Sequence, residues 1–97
     1  MTIRWSERAR RQVRAIVRYI ARDRPQTSEQ FLEGLLERVT LLATFPDQGP
    51  VWEESGRPDV RSIIYESHRI VYRVRKDEIA ILSVRHTRRL PPEDIDK

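Results

Sequence analysis

The chain has 97 residues, and this length predicts one domain with a single hydrophobic core spanning residues 1–97. It contains no cysteine, which excludes disulfides, thiolate metal sites and a cysteine nucleophile. The formal net charge is +4, and nearly all of the basic residues are arginines, a composition that suits anionic partners.

The sequence predicts a protein of the cytoplasm. No apolar run approaches the roughly 18 residues that a transmembrane helix needs. The first residues, MTIRWSERARR, lack the apolar stretch of a signal peptide. With no cysteine in the chain, we expect a reducing compartment.

Residues 2–5 favour a short edge strand, and Ser6 suits the N-cap of a first helix. The helix is amphipathic, because its apolar residues recur at helical spacing on one face: Ala9, Val13, Ile16, Val17 and Ile20. The opposite face carries a stripe of arginines at i,i+4 spacing: Arg10, Arg14, Arg18 and Arg22. Pro25 predicts that the helix ends just before Arg24.

A second amphipathic helix begins either with Pro25 at its first position or with Thr27 as its N-cap. Its apolar face is formed by Phe31, Leu32, Leu35, Leu36, Val39, Leu42 and Ala43, beside an acidic stripe of Glu29, Glu33 and Glu37. The segment FPDQGP ends it. Because the link between the helices is short, they should form an antiparallel hairpin.

From residue 60 the period changes to two, and three strands are predicted in the segments VRSIIY, RIVYRV and EIAILSV. In the second segment Ile70 and Tyr72 share one face, and Arg69 lies on the other. The third segment should place Ala80, Leu82 and Val84 on one face, and this face continues to His86. It is apolar on both faces and therefore suits an interior position. Short links predict antiparallel pairing. We therefore expect an α+β fold of order β-α-α-β-β-β, with the helical hairpin packed on a small antiparallel sheet.

These segments together resemble the RelE/ParE family of bacterial toxins over nearly the whole chain. The resemblance includes IRWSERA, IVRYIARDRP, LLATFPDQG, VRSIIYESHRIVYRV and IAILSVRHTRR. HRIVYRV resembles a family strand of the form Y-R-hydrophobic-x-Y-x-hydrophobic, with His68 in place of the tyrosine and with Arg69 and Tyr72 matching. VRHTRR resembles the V-x-H-x-R ending of the ParE branch.

The resemblance implies one of two activities. RelE-like members cut messenger RNA on the ribosome, and ParE-like members bind DNA gyrase and trap it on cleaved DNA. In both branches a cognate antitoxin neutralises the toxin. We expect the antitoxin to be acidic where it wraps the toxin, and either to cover the apolar groove between the helix pair and the sheet or to add a strand at a sheet edge.

The cutting branch relies on lysines, arginines and a C-terminal tyrosine or a histidine. Here the two expected lysine positions hold Val60 and Ser62, and no tyrosine follows VRHTRR. Arg69 and His86 remain for RNA cleavage, with Arg61 and Arg88 as further candidates. Arg69 is either an anion clamp or the partner of a carboxylate such as Glu66 or Asp59. His86 is a strand-end residue, an interaction residue or a catalytic one.

We therefore predict a ParE-like toxin that inhibits gyrase by binding, without catalysis, cofactor or metal. The predicted target or partner contacts are Arg61, Arg69, Arg85, His86, Arg88 and Arg89. A ribonuclease using His86 and Arg69 is the first alternative, and a binding remnant without toxicity is the second. The acidic tail, residues 90–97, is either disordered or paired with the basic strand ends.

Overall fold

The computed structural model describes residues 1–88. The elements follow the predicted order, with one short 3-10 helix (Glu53–Ser55) inserted before the second strand: β1 (Thr2–Trp5), α1 (Glu7–Ala21), α2 (Pro25–Thr44), β2 (Val60–Tyr65), β3 (His68–Val74) and β4 (Glu78–His86). The predictions for Arg89 and for the tail 90–97 lie outside the described residues.

The helical hairpin forms as predicted, and its boundaries have local causes. The Ser6 hydroxyl accepts a hydrogen bond from the Ala9 amide at 3.0 Å, which caps the start of α1. Pro25 occupies the first position of α2, where its missing amide hydrogen costs nothing. No helix within residues 1–88 combines the length and the apolar character needed to cross a bilayer.

The sheet has four strands in the order β1-β4-β3-β2. The pairs β2–β3 and β3–β4 are antiparallel, as their short connections predict. β1 is an edge strand and joins β4 in parallel, so the sheet is mixed. β4 therefore lies in the interior of the sheet, in agreement with its apolar character on both faces.

The predicted alternation of β4, which placed Leu82 and Val84 on one face, is wrong because β4 contains a β-bulge. Its register against β3 skips Leu82, and the extra residue reverses the alternation. As a result Ile81 and Val84 both belong to the core under the helices. Helix α1 and its cap satisfy the backbone beside the bulge: Ser6 Oγ donates to the Leu82 carbonyl at 3.1 Å, and the Val84 amide donates to Gln12 Oε1 at 2.8 Å.

The hydrophobic core lies between the helices and one face of the sheet, and Tyr72 is its largest fully buried side chain. The Tyr72 hydroxyl donates to the Pro46 carbonyl at 2.8 Å and accepts from the Gly49 amide at 2.9 Å. One buried side chain therefore fixes the loop that follows α2. We call residues 46–52 the anchored loop.

Tyr72→Phe should lower the free energy of unfolding by about 1–2 kcal/mol, because it leaves the Pro46 carbonyl and the Gly49 amide without this partner. Urea unfolding followed by circular dichroism measures the loss. Tyr19→Phe is the matched control, since the Tyr19 side chain is exposed. Equal stability of the two variants would contradict the anchoring role of Tyr72.

Candidate functional site

The sheet has two faces with different chemistry, because side chains alternate along each strand. One face packs on the helices. The other, which we call the outer face, carries three arginines on two neighbouring strands. These are Arg69 and Arg73 on β3 and Arg85 on β4. The predicted separation of Arg69 from Ile70 and Tyr72 is thus found in the structure.

Four residues of the outer face form what we call the outer cluster: Trp52, Ser62, Arg69 and Arg85. Arg69 and Arg85 are directly opposite each other on β3 and β4. Arg69 Nη1 donates to Ser62 Oγ at 2.8 Å, and Ser62 is buried. The guanidinium carbons of Arg69 and Arg85 lie 5.9 Å and 5.2 Å from the centroid of the Trp52 ring, within the range of cation–π attraction.

Trp52 is half-buried on the outer face. Its position follows from the anchored loop, which runs beside β2: the Trp52 amide donates to the Val60 carbonyl at 2.8 Å, and the Ser62 amide donates to the Pro50 carbonyl at 3.1 Å. Sequence reasoning missed its place in the cluster. The available signal was an aromatic residue in a loop shortly before strands with arginines on one face.

Arg69 makes no ion pair with any carboxylate of residues 1–88. Asp59, one of its predicted partners, pairs with two other arginines instead. Arg57 donates to Asp59 from Nε at 3.1 Å and from Nη2 at 3.2 Å, and Arg73 Nε donates at 2.8 Å. The hydrogen bonds from Arg57 and then Arg73 hold the pKa of Asp59 well below its ordinary value.

This lowered pKa predicts an acid-sensitive contribution to stability. The contribution is present above the unfolded-state pKa of an aspartate, about 3.9, and is lost as the pH falls below it toward the folded-state pKa. Asp59→Asn should therefore narrow the difference in urea midpoint between pH 7 and pH 3. Asp23→Asn, which removes an exposed carboxylate that makes no ion pair within residues 1–88, is the control. An unchanged difference for Asp59→Asn would contradict the role of the Asp59 pairs.

Arg61, another predicted contact, is engaged with the anchored loop. Its Nη1 donates to the Gly49 carbonyl at 2.6 Å, and its Nη2 lies 3.7 Å from Asp47 Oδ1. It stands opposite Tyr72 on the side of the sheet that faces the helices. The structure therefore does not bring Arg61 into the outer cluster.

His86 lies on the helix side of β4, opposite His68 on β3. The two rings meet edge to face, with their centroids 5.3 Å apart. The ring of His68 also meets the ring of Phe31 in α2, at a centroid distance of 5.1 Å. The exposed Arg88 donates its amide hydrogen to His86 Nδ1 at 3.0 Å, so the neutral imidazole carries its proton on Nε2. A cavity of about 600 Å³ between α1 and the ends of β3 and β4 has both histidines in its wall.

The two residues required by the ribonuclease alternative are therefore on opposite faces of the sheet. Arg69 belongs to the outer cluster, whereas His86 packs edge to face against His68 on the helix side of the sheet. Arg85 shares the outer face with Arg69. Among residues 1–88, no three histidine, aspartate or glutamate side chains lie close enough together to hold a metal ion.

A second concave surface, which we call the α1–α2 groove, lies between the helices. It has a volume of about 450 Å³. Its apolar residues are Trp5, Val13, Val17, Leu32 and Leu36, and its rim carries Arg10, Arg14 and Arg18. The acidic residues of α2, Glu29, Glu33 and Glu37, are exposed and make no ion pairs within residues 1–88.

Comparison with known proteins gives consistent matches. A family model described as ParE toxin of type II toxin-antitoxin system, parDE, matches residues 3–91. Ten chains of solved structures match, among them one described as the chromosomal ParDE TA system from P. aeruginosa. That chain is 25% identical, superposes with a TM-score of 0.75, and the alignment covers 89% of this chain and 95% of that one. No curated protein sequence gives a match.

Proposed function

The chain belongs to the ParE toxin family of type II toxin–antitoxin systems, and from this premise we propose that it inhibits DNA gyrase by binding, with no chemistry of its own. The observation that carries the proposal is the separation of Arg69 and His86 on opposite faces of the sheet. A toxin without an assembled set of proton-transfer groups acts most directly by occupying its target.

Metal-free cleavage of RNA requires a base for the 2′-hydroxyl, cations for the phosphate and an acid for the leaving oxygen, all within reach of one phosphodiester. His86 does not fit the role of base in this geometry, because its Nδ1 accepts from Arg88 and its Nε2 carries the proton. The positions where the cutting branch has lysines are occupied by Val60 and Ser62, both of which are buried. These features argue against the ribonuclease alternative.

The surface that fits a large target is the outer face, with the outer cluster at its centre. Arg69 and Arg85 present two adjacent positive charges there. Arg88 is exposed two residues after the end of β4 and remains a proposed contact with the target. Arg61 and His86 serve the anchored loop and the histidine pair instead, so their contribution to target binding is indirect. Arg89 lies outside the described residues.

The experiment is supercoiling of relaxed plasmid by purified gyrase with ATP and increasing amounts of the toxin. We expect supercoiled product to disappear and linear plasmid to accumulate after the protein is denatured. Unchanged supercoiling together with cleavage of ribosome-bound message would favour the ribonuclease. If gyrase and message are both unaffected, and cells expressing the protein without its antitoxin grow normally, the binding remnant is the correct alternative.

Membership in this family implies an antitoxin partner. We propose that an acidic, amphipathic segment of the antitoxin occupies the α1–α2 groove. The groove offers an apolar floor that includes Val17 and Leu36 and a rim of three arginines, Arg10, Arg14 and Arg18. Apolar residues of a bound helix would pack on the floor, and its carboxylates would neutralise the rim.

Leu36→Glu should weaken antitoxin binding by roughly 30-fold or more, because it places a negative charge on the floor of the groove facing an acidic partner. Leu41→Glu is a closely matched control: both leucines lie on α2 with 44% exposure, but Leu41 is not part of the groove. Titration calorimetry with the antitoxin encoded beside the toxin measures both. If Leu36→Glu binds as tightly as Leu41→Glu, the antitoxin uses another surface, such as the edge strand β1.

A further inference from the structure

We propose that the α1–α2 groove binds an antitoxin helix that is acidic along one flank and basic along the other, and that the acidic residues of α2 select the basic flank. The inference rests on the proposed antitoxin site and goes beyond it, because it assigns a role to the second wall of the groove. Three features carry it: a basic row on α1, an acidic row on α2, and the apolar space between the rows.

The first feature is the basic row on α1. Arg10, Arg14 and Arg18 are exposed at the groove and recur every four residues, so the row is about 12 Å long. Within residues 1–88, Arg14 and Arg18 make no ion pair, and Arg10 pairs with Glu7 of its own helix at 3.9 Å. Like charges at this spacing repel one another and weaken the helix. An acidic partner would offset this repulsion.

The second feature is the acidic row on α2, which forms the opposite wall. Val39, Leu36 and Glu33 follow one another around the helix in steps of about 60°. Val39 is buried in the core, Leu36 lies in the groove, and Glu33 is exposed. Glu29 and Glu37 repeat the position of Glu33 one turn earlier and one turn later. The glutamates therefore border the groove beyond its leucines.

The third feature is the space that keeps the two rows apart. Although α1 and α2 form a hairpin, none of the three arginines forms an ion pair with a glutamate of α2 within residues 1–88. Between the rows lies the apolar floor of the groove, which has a volume of about 450 Å³. A helix on this floor would place one charged flank against each wall, as the e and g positions do in coiled coils.

The opposite charges of the two walls also determine the direction of the bound helix. Turning a helix end for end, with its apolar face kept on the floor, exchanges its two flanks. The antitoxin carboxylates would then face the glutamates and its cations would face the arginines, and like charges brought together in this way disfavour the reversed complex. The acidic row of α2 thus provides selectivity for one helix direction and for antitoxins with the matching charge pattern.

The test reverses the charge of the acidic row. In Glu29→Lys/Glu33→Lys each substitution changes −1 to +1, so the net charge rises from +4 to +8. Long-range attraction alone would then tighten the binding of an acidic antitoxin. We expect the opposite: titration calorimetry with the antitoxin encoded beside the toxin should show binding weakened by roughly 30-fold, because favourable contacts become repulsive. Glu29→Gln/Glu33→Gln, which only removes the charges, should weaken binding by roughly 5-fold.

Glu53→Lys/Glu54→Lys is the matched control. It makes the same change in net charge at two exposed glutamates of the short 3-10 helix, outside the groove. This variant should bind the antitoxin at least as tightly as the unmodified toxin. Thermal unfolding of each variant separates lost binding from a weakened helix. In addition, replacing the basic flank of the antitoxin helix by glutamate should restore binding to Glu29→Lys/Glu33→Lys, which a structural defect in the toxin would not allow.

Two outcomes would overturn the inference, and they differ in what they say about the antitoxin site. If Leu36→Glu binds weakly but Glu29→Lys/Glu33→Lys binds as tightly as Glu53→Lys/Glu54→Lys, the groove holds the antitoxin and the acidic row does not select it. If Leu36→Glu binds normally, the groove is not the antitoxin site, and the proposed site fails together with this inference. Gyrase inhibition is measured without the antitoxin, so it is tested independently.

Discussion

Replacing Arg69 and Arg85 together by glutamine should raise the concentration of toxin needed for half-maximal inhibition of supercoiling by roughly 30-fold or more, equivalent to about 2 kcal/mol of binding free energy. The two arginines are adjacent, packed on Trp52 and partly held by the buried Ser62, which is the environment of residues that dominate interfaces. Glutamine retains a donor for Ser62, so the fold should be preserved. A plasmid supercoiling titration measures the effect.

The control for this variant is His86→Gln. The His86 side chain lies on the other face of the sheet, where its loss affects the histidine pair and not the outer cluster. Thermal unfolding of both variants separates lost binding from lost structure. If His86→Gln abolishes toxicity while the arginine variant remains toxic, the assignment of the target surface to the outer face is wrong. Loss of message cleavage in His86→Gln would in addition favour a ribonuclease.

The helices and their boundaries could be predicted because their causes are local. Ser6 and Pro25 mark helix starts through hydrogen bonds and backbone geometry that involve only the next few residues. The strands β2 and β3 follow from alternation in the same way, and the assignment of Arg69 to the face opposite Tyr72 is confirmed. Where a feature depends on neighbouring residues alone, the sequence pattern was sufficient.

The features that the pattern could not predict depend on distant partners. The side chains of Ser6 and Gln12, far away in sequence, form hydrogen bonds with the backbone beside the bulge at Leu82. The parallel pairing of β1 with β4 joins the two ends of the described chain. Nothing within the sequence of β4 indicates the bulge or the parallel pairing with β1. One reversed alternation is enough to change which residues of β4 lie under the helices.

The candidate site also contains residues that the local sequence pattern predicts and residues that only distant contacts place. Arg69 and Arg85 were predicted as contacts, and the structure brings them together because β3 and β4 pair antiparallel, as expected, in a register that sets Arg69 opposite Arg85. Trp52 joins them only through the anchored loop, whose position is set by Tyr72 and by pairing with β2. A residue held by long-range contacts of a loop has no periodic signal. The geometry of the outer cluster therefore depends on the fit of the anchored loop.

Gly49→Ala should destabilise the protein by about 3 kcal/mol and lower its melting temperature by roughly 12 °C or more. A β-carbon at position 49 would overlap the Ser62 carbonyl oxygen and lie 2.8 Å from Ile63 Cγ2, and backbone atoms of a strand cannot yield as a flexible side chain can. The loop is also held from both sides, since the Gly49 amide donates to the Tyr72 hydroxyl and its carbonyl accepts from Arg61. The added methyl group must therefore displace the anchored loop.

Displacement of the loop should also move Trp52 away from Arg69 and Arg85, so gyrase inhibition by Gly49→Ala should weaken even well below the melting temperature. Gln48→Ala is the control, because its exposed side chain precedes Gly49 and fills no such gap. Calorimetry and the supercoiling titration give the two readouts. A Gly49→Ala protein that melts within about 2 °C of the unmodified toxin would mean that the loop is not tightly fitted against β2, and the rigid placement of Trp52 would then have no support.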